Sequence, residues 1–256
     1  MQIGATVRHF VMSLFAILAL GFFLGMRHAT DSDHVVAVTT IVSREKSIRS
    51  ASLVGALWGI GHTLTILLVG GAIVLFGIVF PPRLGLTMEF SVAVMLVVLG
   101  AMNVAGFRRD VKKLHRAEHG ASPARAGAQE PHAHAPVGII ARVGGYDAAL
   151  RSLVVGTVHG LAGSAAVALL VLTTIRDSRW ALLYLFLFGI GTIAGMMLIT
   201  SALAVPLVHT ARRFPNWKLH MVWVTGLLSV CFGLLLVYQI GFVDGLFGSS
   251  PHWAPQ

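Results

Sequence analysis

Six long apolar segments dominate the chain and restrict the folds open to it. They cover approximately residues 10–42, 52–80, 90–107, 152–175, 180–208 and 221–243. A helix needs about 20 predominantly apolar residues to cross the hydrocarbon core of a bilayer. Hydrophobic residues make up 56% of the chain and charged residues only 11%, which is outside the usual range of soluble domains. We therefore predict an all-α polytopic membrane protein with about six transmembrane helices in contact with membrane lipid.

The basic residues are distributed unevenly between these segments. Fourteen Lys and Arg residues lie in the first, third and fifth connections, whereas four lie before the first segment and in the second and fourth connections. Because cytoplasmic loops of membrane proteins are enriched in Lys and Arg, we predict that both termini face away from the cytoplasm, in an inner or plasma membrane. The net charge of +9 then reflects orientation in the bilayer, and no nucleic-acid partner is expected.

The long third connection, residues 108–151, has the composition of a flexible cytoplasmic linker. It is rich in Ala, Gly, Pro and charged residues. Its histidines match no closed metal-ligand spacing, so a solvated linker and a loop that gathers metal both remain open. These histidines are His115, His119, His132 and His134.

Glycine positions recur at a nearly constant spacing in the two halves of the chain. Gly25 and His28 match Gly156 and His159 at an offset of 131 residues, Gly59 and Gly61 match Gly189 and Gly191 at 130, and Gly100 matches Gly233 at 133. Three helices per unit would place two copies in opposite orientations, as in many transporters, and chance similarity is the alternative. We predict inverted repeats in residues 1–107 and 152–243, joined by the linker 108–151 and followed by a tail, 244–256. The first and fourth helices are expected to be broken.

Residues 27–34, Arg-His-Ala-Thr-Asp-Ser-Asp-His, place ionisable side chains inside the first apolar segment. Each charge costs roughly 2.5–3.5 kcal/mol at a bilayer centre on insertion scales, so such residues indicate a site that binds or moves something. His28, Asp31 and His34 share one face of a continuous helix, whereas a break in the helix would let Asp33 join them. Imidazole with carboxylate suits Ni(II), Co(II), Zn(II) or Fe(II) better than Ca(II) or Mg(II), and the lack of thiolate argues against Cu(I).

Two further histidines lie in apolar surroundings. His62 stands in the run Gly-Ile-Gly-His-Thr-Leu-Thr, residues 59–65, where Thr63 and Thr65 offer hydroxyl oxygens. His159 lies in the run of small residues 156–164. Each histidine is either a metal ligand or a structural residue that forms a hydrogen bond across a tight helix crossing, which the neighbouring glycines permit.

The polar residues resemble a signature of the nickel/cobalt transporter family. His28, Asp33 and His34 form an H-x-x-x-x-D-H pattern, preceded by an arginine and followed by two valines, that looks like the family's R-H-A-x-D-A-D-H-I signature. Residues 61–63 look like its G-H-S element. The resemblance implies permeation of divalent nickel or cobalt, with His28, Asp33 and His34 in metal recognition and His62 assisting. Asp31 matches the longer signature but lies outside the H-x-x-x-x-D-H core.

The chain departs from the typical pattern of that family in two respects. It has six predicted spans instead of eight, and residues 157–165 stand where the family has a D-T-A-T-E element. It is more similar to the shorter membrane proteins of the urease-accessory and nickel-transport-like type. The candidate metal ligands, in order, are His28, Asp33, His34, His62, Asp31 and His159.

Two classes of function account for such a site. A secondary transporter would move Ni(II) or Co(II) as its substrate, without a prosthetic group, and the sequence has no P-loop for coupling to nucleotide hydrolysis. A membrane-embedded hydrolase would use histidine-bound Zn(II) to activate water, with an aspartate as the base. No separate substrate-binding signature accompanies the histidines, so we predict a transporter and not an enzyme. Two further partners are compatible with it: a second copy of the chain, and metalloenzyme maturation proteins that would receive the metal.

Overall fold

The computed structural model describes residues 2–45, 47–77, 81–119, 149–162, 175, 177–213 and 215–253. All regular elements within these residues are helical, as the apolar segments predict, and no strand occurs among them. The helices are α1 (Gln2–His28), α2 (Ser32–Val42), α3 (Ile48–Thr65), α4 (Gly71–Phe76), α5 (Pro82–His119), α6 (Ala149–Ala162), α7 (Ser178–Arg213) and α8 (Pro215–Tyr238). Short π-helical turns follow α3 at Ile66–Gly70 and α8 at Gln239–Val243.

Four helical stretches in the described part of the chain are long and apolar enough to cross a membrane. They are Ile48–Phe76, Pro82–Phe107, Ser178–Thr210 and His220–Val243. The predicted segment 10–42 is divided between α1 and α2, and the predicted segment 152–175 is described in α6, up to residue 162, and again at residue 175. Residues 163–174, together with linker histidines His132 and His134, lie outside the described residues. The third segment continues past Phe107 as α5 into the region predicted as linker.

The outer faces of the helices carry large exposed apolar side chains. Phe23, Leu68, Leu198 and Leu235 are each more than half exposed. Soluble monomers rarely expose contiguous apolar surface on this scale. The exposed faces suit contact with lipid, in agreement with an integral membrane protein.

Glycines bring helices of the two halves of the chain into close contact. Gly25 of α1 lies against the Phe188 carbonyl of α7, and Gly156 of α6 lies against the Trp58 carbonyl of α3. A Cβ atom at either glycine would collide with those backbone atoms, so close approach requires the absence of a side chain. Helices α5 and α8 meet in the same way at Gly100.

The chain turns between α1 and α2 beside the polar cluster. The backbone N–H of Thr30 donates to the Arg27 carbonyl (2.8 Å) and that of Asp31 donates to the His28 carbonyl (3.1 Å), so tight three-residue hydrogen bonds end α1. Asp31 precedes α2 with an extended backbone (φ −60°, ψ 148°), but its side chain does not cap the helix. Its carboxylate is therefore available to another partner.

A buried asparagine fixes the other end of α2 to α5. The amide of Asn103, which is 4% exposed, donates to the Thr40 carbonyl (2.6 Å) and accepts from Nε of Arg44 (2.6 Å). Because α2 is short, its anchored end also restricts the position of its first turn, where Asp33 and His34 lie.

Candidate metal centre

Four histidines from separate helices meet inside the helix assembly. His28 is the last residue of α1, His34 lies in the first turn of α2, and His62 and His159 lie in α3 and α6. His34, His62 and His159 are 1%, 0% and 2% exposed. The helices that carry them are predominantly apolar, so the cluster forms a polar centre within a largely apolar assembly.

The imidazole rings are close enough to share an ion. Nε2 of His28 lies 3.2 Å from Nε2 of His62. The ring centroid of His34 lies 4.7 Å from that of His28, 5.3 Å from that of His62 and 4.0 Å from that of His159. One ligand atom from each of His28, His34 and His62 fits within 4.8 Å of the others, and the same holds for Asp33, His34 and His159. His34 belongs to both sets.

Two carboxylates contact these rings. Asp31 Oδ2 lies 2.7 Å from Nδ1 of His28. Asp33 contacts two rings, with Oδ1 3.2 Å from Nδ1 of His34 and Oδ2 2.9 Å from Nε2 of His159. An ionised carboxylate only accepts hydrogen bonds, so the ring nitrogen that faces it carries the proton. In each neutral ring the opposite nitrogen, Nε2 of His28 and His34 and Nδ1 of His159, keeps its lone pair for a metal.

Several of the buried ring nitrogens have no hydrogen-bond partner among the described residues. They are Nε2 of His34, Nδ1 of His62 and Nδ1 of His159. A buried polar atom without a partner costs about 1–3 kcal/mol, and native proteins satisfy nearly all of them. The nitrogens of His34 and His159 are the ones that keep a lone pair opposite Asp33. A transition metal ion, which binds neutral imidazole, fits this donor set.

Close contact between α3 and α6 holds two of the histidines in place. A Cβ atom at Gly160 of α6 would lie 3.0 Å from Cα of His62, so only a residue without a side chain permits this approach. Thr65 donates from its hydroxyl to a backbone carbonyl of α6 (3.1 Å), and Thr63 donates to a carbonyl of α7 (3.0 Å). The hydroxyls that the sequence offers as additional oxygens therefore tie α3 to its neighbours.

The structure brings together every residue singled out from the sequence as a candidate ligand. These are His28, Asp31, Asp33, His34, His62 and His159. The turn between α1 and α2 lets Asp31 face His28 while Asp33 faces His34 and His159. Both aspartates thus contact the histidines, each from a different side.

A cavity of about 430 Å³ adjoins the centre and has lining residues that the sequence analysis does not identify. Besides the histidines, it is lined by Glu89 of α5 and by Gln239 and Asp244 after α8. Glu89 directly precedes the predicted segment 90–107, and Asp244 directly follows the segment 221–243. Carboxylates at such positions resemble ordinary boundary residues, so the sequence offers little signal for them.

Comparisons with known proteins agree on one family. The chain matches the family model described as high-affinity nickel-transport protein over residues 14–239. It is 36% identical over 238 residues to the urease accessory protein UreH of Bacillus sp. (strain TB-90), a match that covers 92% of this chain and 96% of that protein. No solved structure shows a significant match to the chain. The nickel resemblance drawn from the polar motifs is confirmed, and the chain belongs to the NicO high-affinity nickel-transport family.

Proposed function

We propose that this chain is a secondary transporter of nickel and that the ion binds at the histidine centre during transport. The observation that carries the proposal is the 3.2 Å separation of His28 Nε2 and His62 Nε2, next to the unpartnered Nε2 of His34. Membership of a nickel-transport family supports nickel as the substrate. Cobalt is a second proposed substrate, because neighbouring metals in the Irving–Williams order share ligand types.

The separations between ligand atoms support a shared ion. Two ligand atoms that bind one metal ion at about 2.0–2.1 Å lie about 3.3 Å apart when the ligand–metal–ligand angle is tetrahedral. They lie about 2.9 Å apart when that angle is a right angle. The 3.2 Å between His28 and His62 lies within this interval, and His34 Nε2 would complete a face of imidazole nitrogens. Asp33 and His159 offer the ion a second position beside His34; binding there would replace the hydrogen bond between Asp33 Oδ2 and Nε2 of His159 (2.9 Å) by metal ligation and move the ring proton of His159 to Nδ1.

In the first ligand set, which consists of His28, His34 and His62, the aspartates orient the ligands. Metal-bound histidines generally donate their other ring N–H to a carboxylate or carbonyl, which fixes the tautomer. Asp31 takes this role toward His28, and Asp33 takes it toward His34. When the ion occupies the second ligand set, which consists of Asp33, His34 and His159, Asp33 would bind the metal directly instead.

We also propose that the two halves of the chain form inverted repeats around this centre. Helix α1 packs on α7 at Gly25 and α6 packs on α3 at Gly156, so the first helix of each half contacts the second helix of the other. The third helices, α5 and α8, pack on each other. Reciprocal contacts of this kind between equivalent helices are expected of two units related by a two-fold axis. The proposed units are residues 1–107 and 152–243, with both termini on the non-cytoplasmic side.

The proposed fate of the metal is transfer to a metalloenzyme maturation protein. The relative at 36% identity carries the name of a urease accessory protein, which supports a link between transport and assembly of a nickel enzyme. The family match supports a transporter and gives no support to the zinc hydrolase.

Nickel flux into sealed vesicles of known orientation tests the proposal. Radioactive nickel uptake, with and without a proton gradient, should fall about 10-fold or more in His34→Ala, because His34 belongs to both ligand sets. His209→Ala provides the control, since His209 is exposed on α7. Wild-type flux in His34→Ala, at equal amounts of protein in the membrane, would overturn the proposal.

A further inference from the structure

The cavity beside the histidine centre combines imidazole nitrogens with a second group of oxygen ligands. Glu89, Gln239 and Asp244 line it together with His34 and His159. Glu89 comes from the first part of α5, and the other two lie at and after the π-helical turn that follows α8. The cavity therefore connects the centre with the region where α5 begins and α8 ends.

Among the described residues, the ionisable side chains that line this cavity are acidic or histidine, and no Lys or Arg is one of them. The acidic ones are Asp31, Asp33, Glu89 and Asp244. A water-accessible space with negative walls concentrates cations and repels anions. His34 and His159, which carry unpartnered buried nitrogens of the adjoining centre, also contribute to the lining, so the space borders the residues that would bind a metal ion.

The volume suits a hydrated ion. At roughly 30 Å³ of liquid volume per water molecule, about 430 Å³ holds on the order of ten waters. A divalent ion with its first hydration shell fits within this space. Phe232 and Leu236 add apolar surface to the lining.

The carboxylate of Glu89 has a fixed position. Its Oε1 accepts a hydrogen bond from Nε1 of Trp253 (2.8 Å), in the C-terminal segment of the described chain. The indole ring lies against Gly85, where a Cβ atom would come within 2.8 Å of Cζ2. The C-terminal segment thus folds back on α5 and orients Glu89. Carboxylates in apolar spans are costly and usually functional.

We propose that this cavity is the access vestibule for the metal, and that Glu89 and Asp244 form an outer cation site that attracts the hydrated ion before it reaches the histidines. This inference rests on the proposed transport function. Oxygen ligands would hold the ion through its hydration shell with little preference among divalent metals. Imidazole would then replace water at the centre and provide the selection for nickel or cobalt. The vestibule serves the side of the membrane on which the C-terminal segment lies.

Nickel uptake as a function of nickel concentration tests the vestibule. Glu89→Gln and Asp244→Asn keep the side-chain shape and remove one charge each. We expect each to raise the nickel concentration at half-maximal uptake about 3- to 10-fold at low ionic strength, with maximal uptake retained and the effect reduced by added salt. Asp177→Asn is the matched control, because Asp177 lies outside the cavity and its carboxylate accepts from the N–H of Arg179 at the start of α7.

A labelling experiment checks that the position is accessible. In a Cys231→Ser background, which removes the single native cysteine, Glu89→Cys should react with a positively charged thiol reagent, and nickel should slow the reaction. Half-maximal concentrations equal to wild type in both charge variants, or no reaction at position 89, would overturn the vestibule. Those results would leave transport intact, whereas wild-type flux in His34→Ala would overturn the transport proposal itself.

Discussion

Asparagine at position 33 should weaken nickel binding more than asparagine at position 31. Asp33 contacts two rings, accepting from Nδ1 of His34 with one oxygen and from Nε2 of His159 with the other. Asparagine keeps only one of these oxygens and places an NH₂ donor in the other position. The NH₂ group would then face the N–H of one of the two rings. Because two donors cannot pair, that ring must move its proton to its other nitrogen, which otherwise keeps its lone pair for metal.

Asp31 makes a simpler contact. It faces only Nδ1 of His28 and its side chain is 49% exposed. Asparagine there can turn its carbonyl oxygen toward the ring and keep the tautomer of His28. The change replaces a charge-assisted hydrogen bond by a neutral one of about half the strength, and solvent screens the lost charge.

The expected magnitudes follow from these contacts. Loss of an orienting partner typically lowers metal affinity 10- to 100-fold, or about 1.4–2.7 kcal/mol. We expect Asp33→Asn to lie in this range and Asp31→Asn to lower the affinity less than about 10-fold. Nickel titration calorimetry of the purified proteins in detergent measures both, with Asp177→Asn as the control. An affinity in Asp33→Asn equal to or higher than that in Asp31→Asn would refute the proposed tautomers.

Three further predictions concern stability in detergent, measured by thermal or chemical unfolding. Gly156→Ala should lower the free energy of unfolding by about 1–3 kcal/mol, because its Cβ would meet Cδ1 of Trp58 at 2.9 Å; Gly71→Ala, 3.5 Å from Leu182, should change it by less than about 0.5 kcal/mol. Equal stabilities would contradict the α3–α6 contact. Asn103→Leu should lower the free energy of unfolding by about 1–3 kcal/mol, since the Thr40 carbonyl and Arg44 lose a buried partner. Ser201→Ala, which removes only a hydrogen bond within α7, should remain near wild type, and a stable Asn103→Leu would refute this anchor. Nickel at 100 times its dissociation constant should stabilise the wild-type protein by about 2.7 kcal/mol and His34→Ala far less, and equal stabilisation would argue against the centre.

Periodicity and composition predict much of this architecture. Long apolar segments and charged residues at membrane depth are each compatible with only a few kinds of structure. The H-x-x-x-x-D-H pattern and the lone His62 in an apolar run were sufficient to select residues that meet in space. The partners of the two aspartates could not be derived in the same way. They depend on the turn that separates α1 from α2, which reorients Asp31 and Asp33 relative to a continuous helix.

The vestibule residues show where sequence patterns lose information. Glu89 stands at the edge of a predicted segment, yet α5 begins at Pro82 and places it within a span. Its hydrogen-bond partner, Trp253, is separated from it by most of the chain, and only the folded C-terminal segment brings the two together. Contacts of this kind arise from tertiary packing and leave no local periodicity.

X-ray absorption spectroscopy of the nickel-loaded protein examines the proposed centre most directly. With nickel bound by His28, His34 and His62, we expect a first shell dominated by imidazole nitrogen at about 2.1 Å, with outer-shell scattering from the rings. His34→Ala should lose part of that imidazole scattering. A shell made of oxygen alone, or an imidazole contribution unchanged in His34→Ala, would contradict a histidine centre for nickel in this protein.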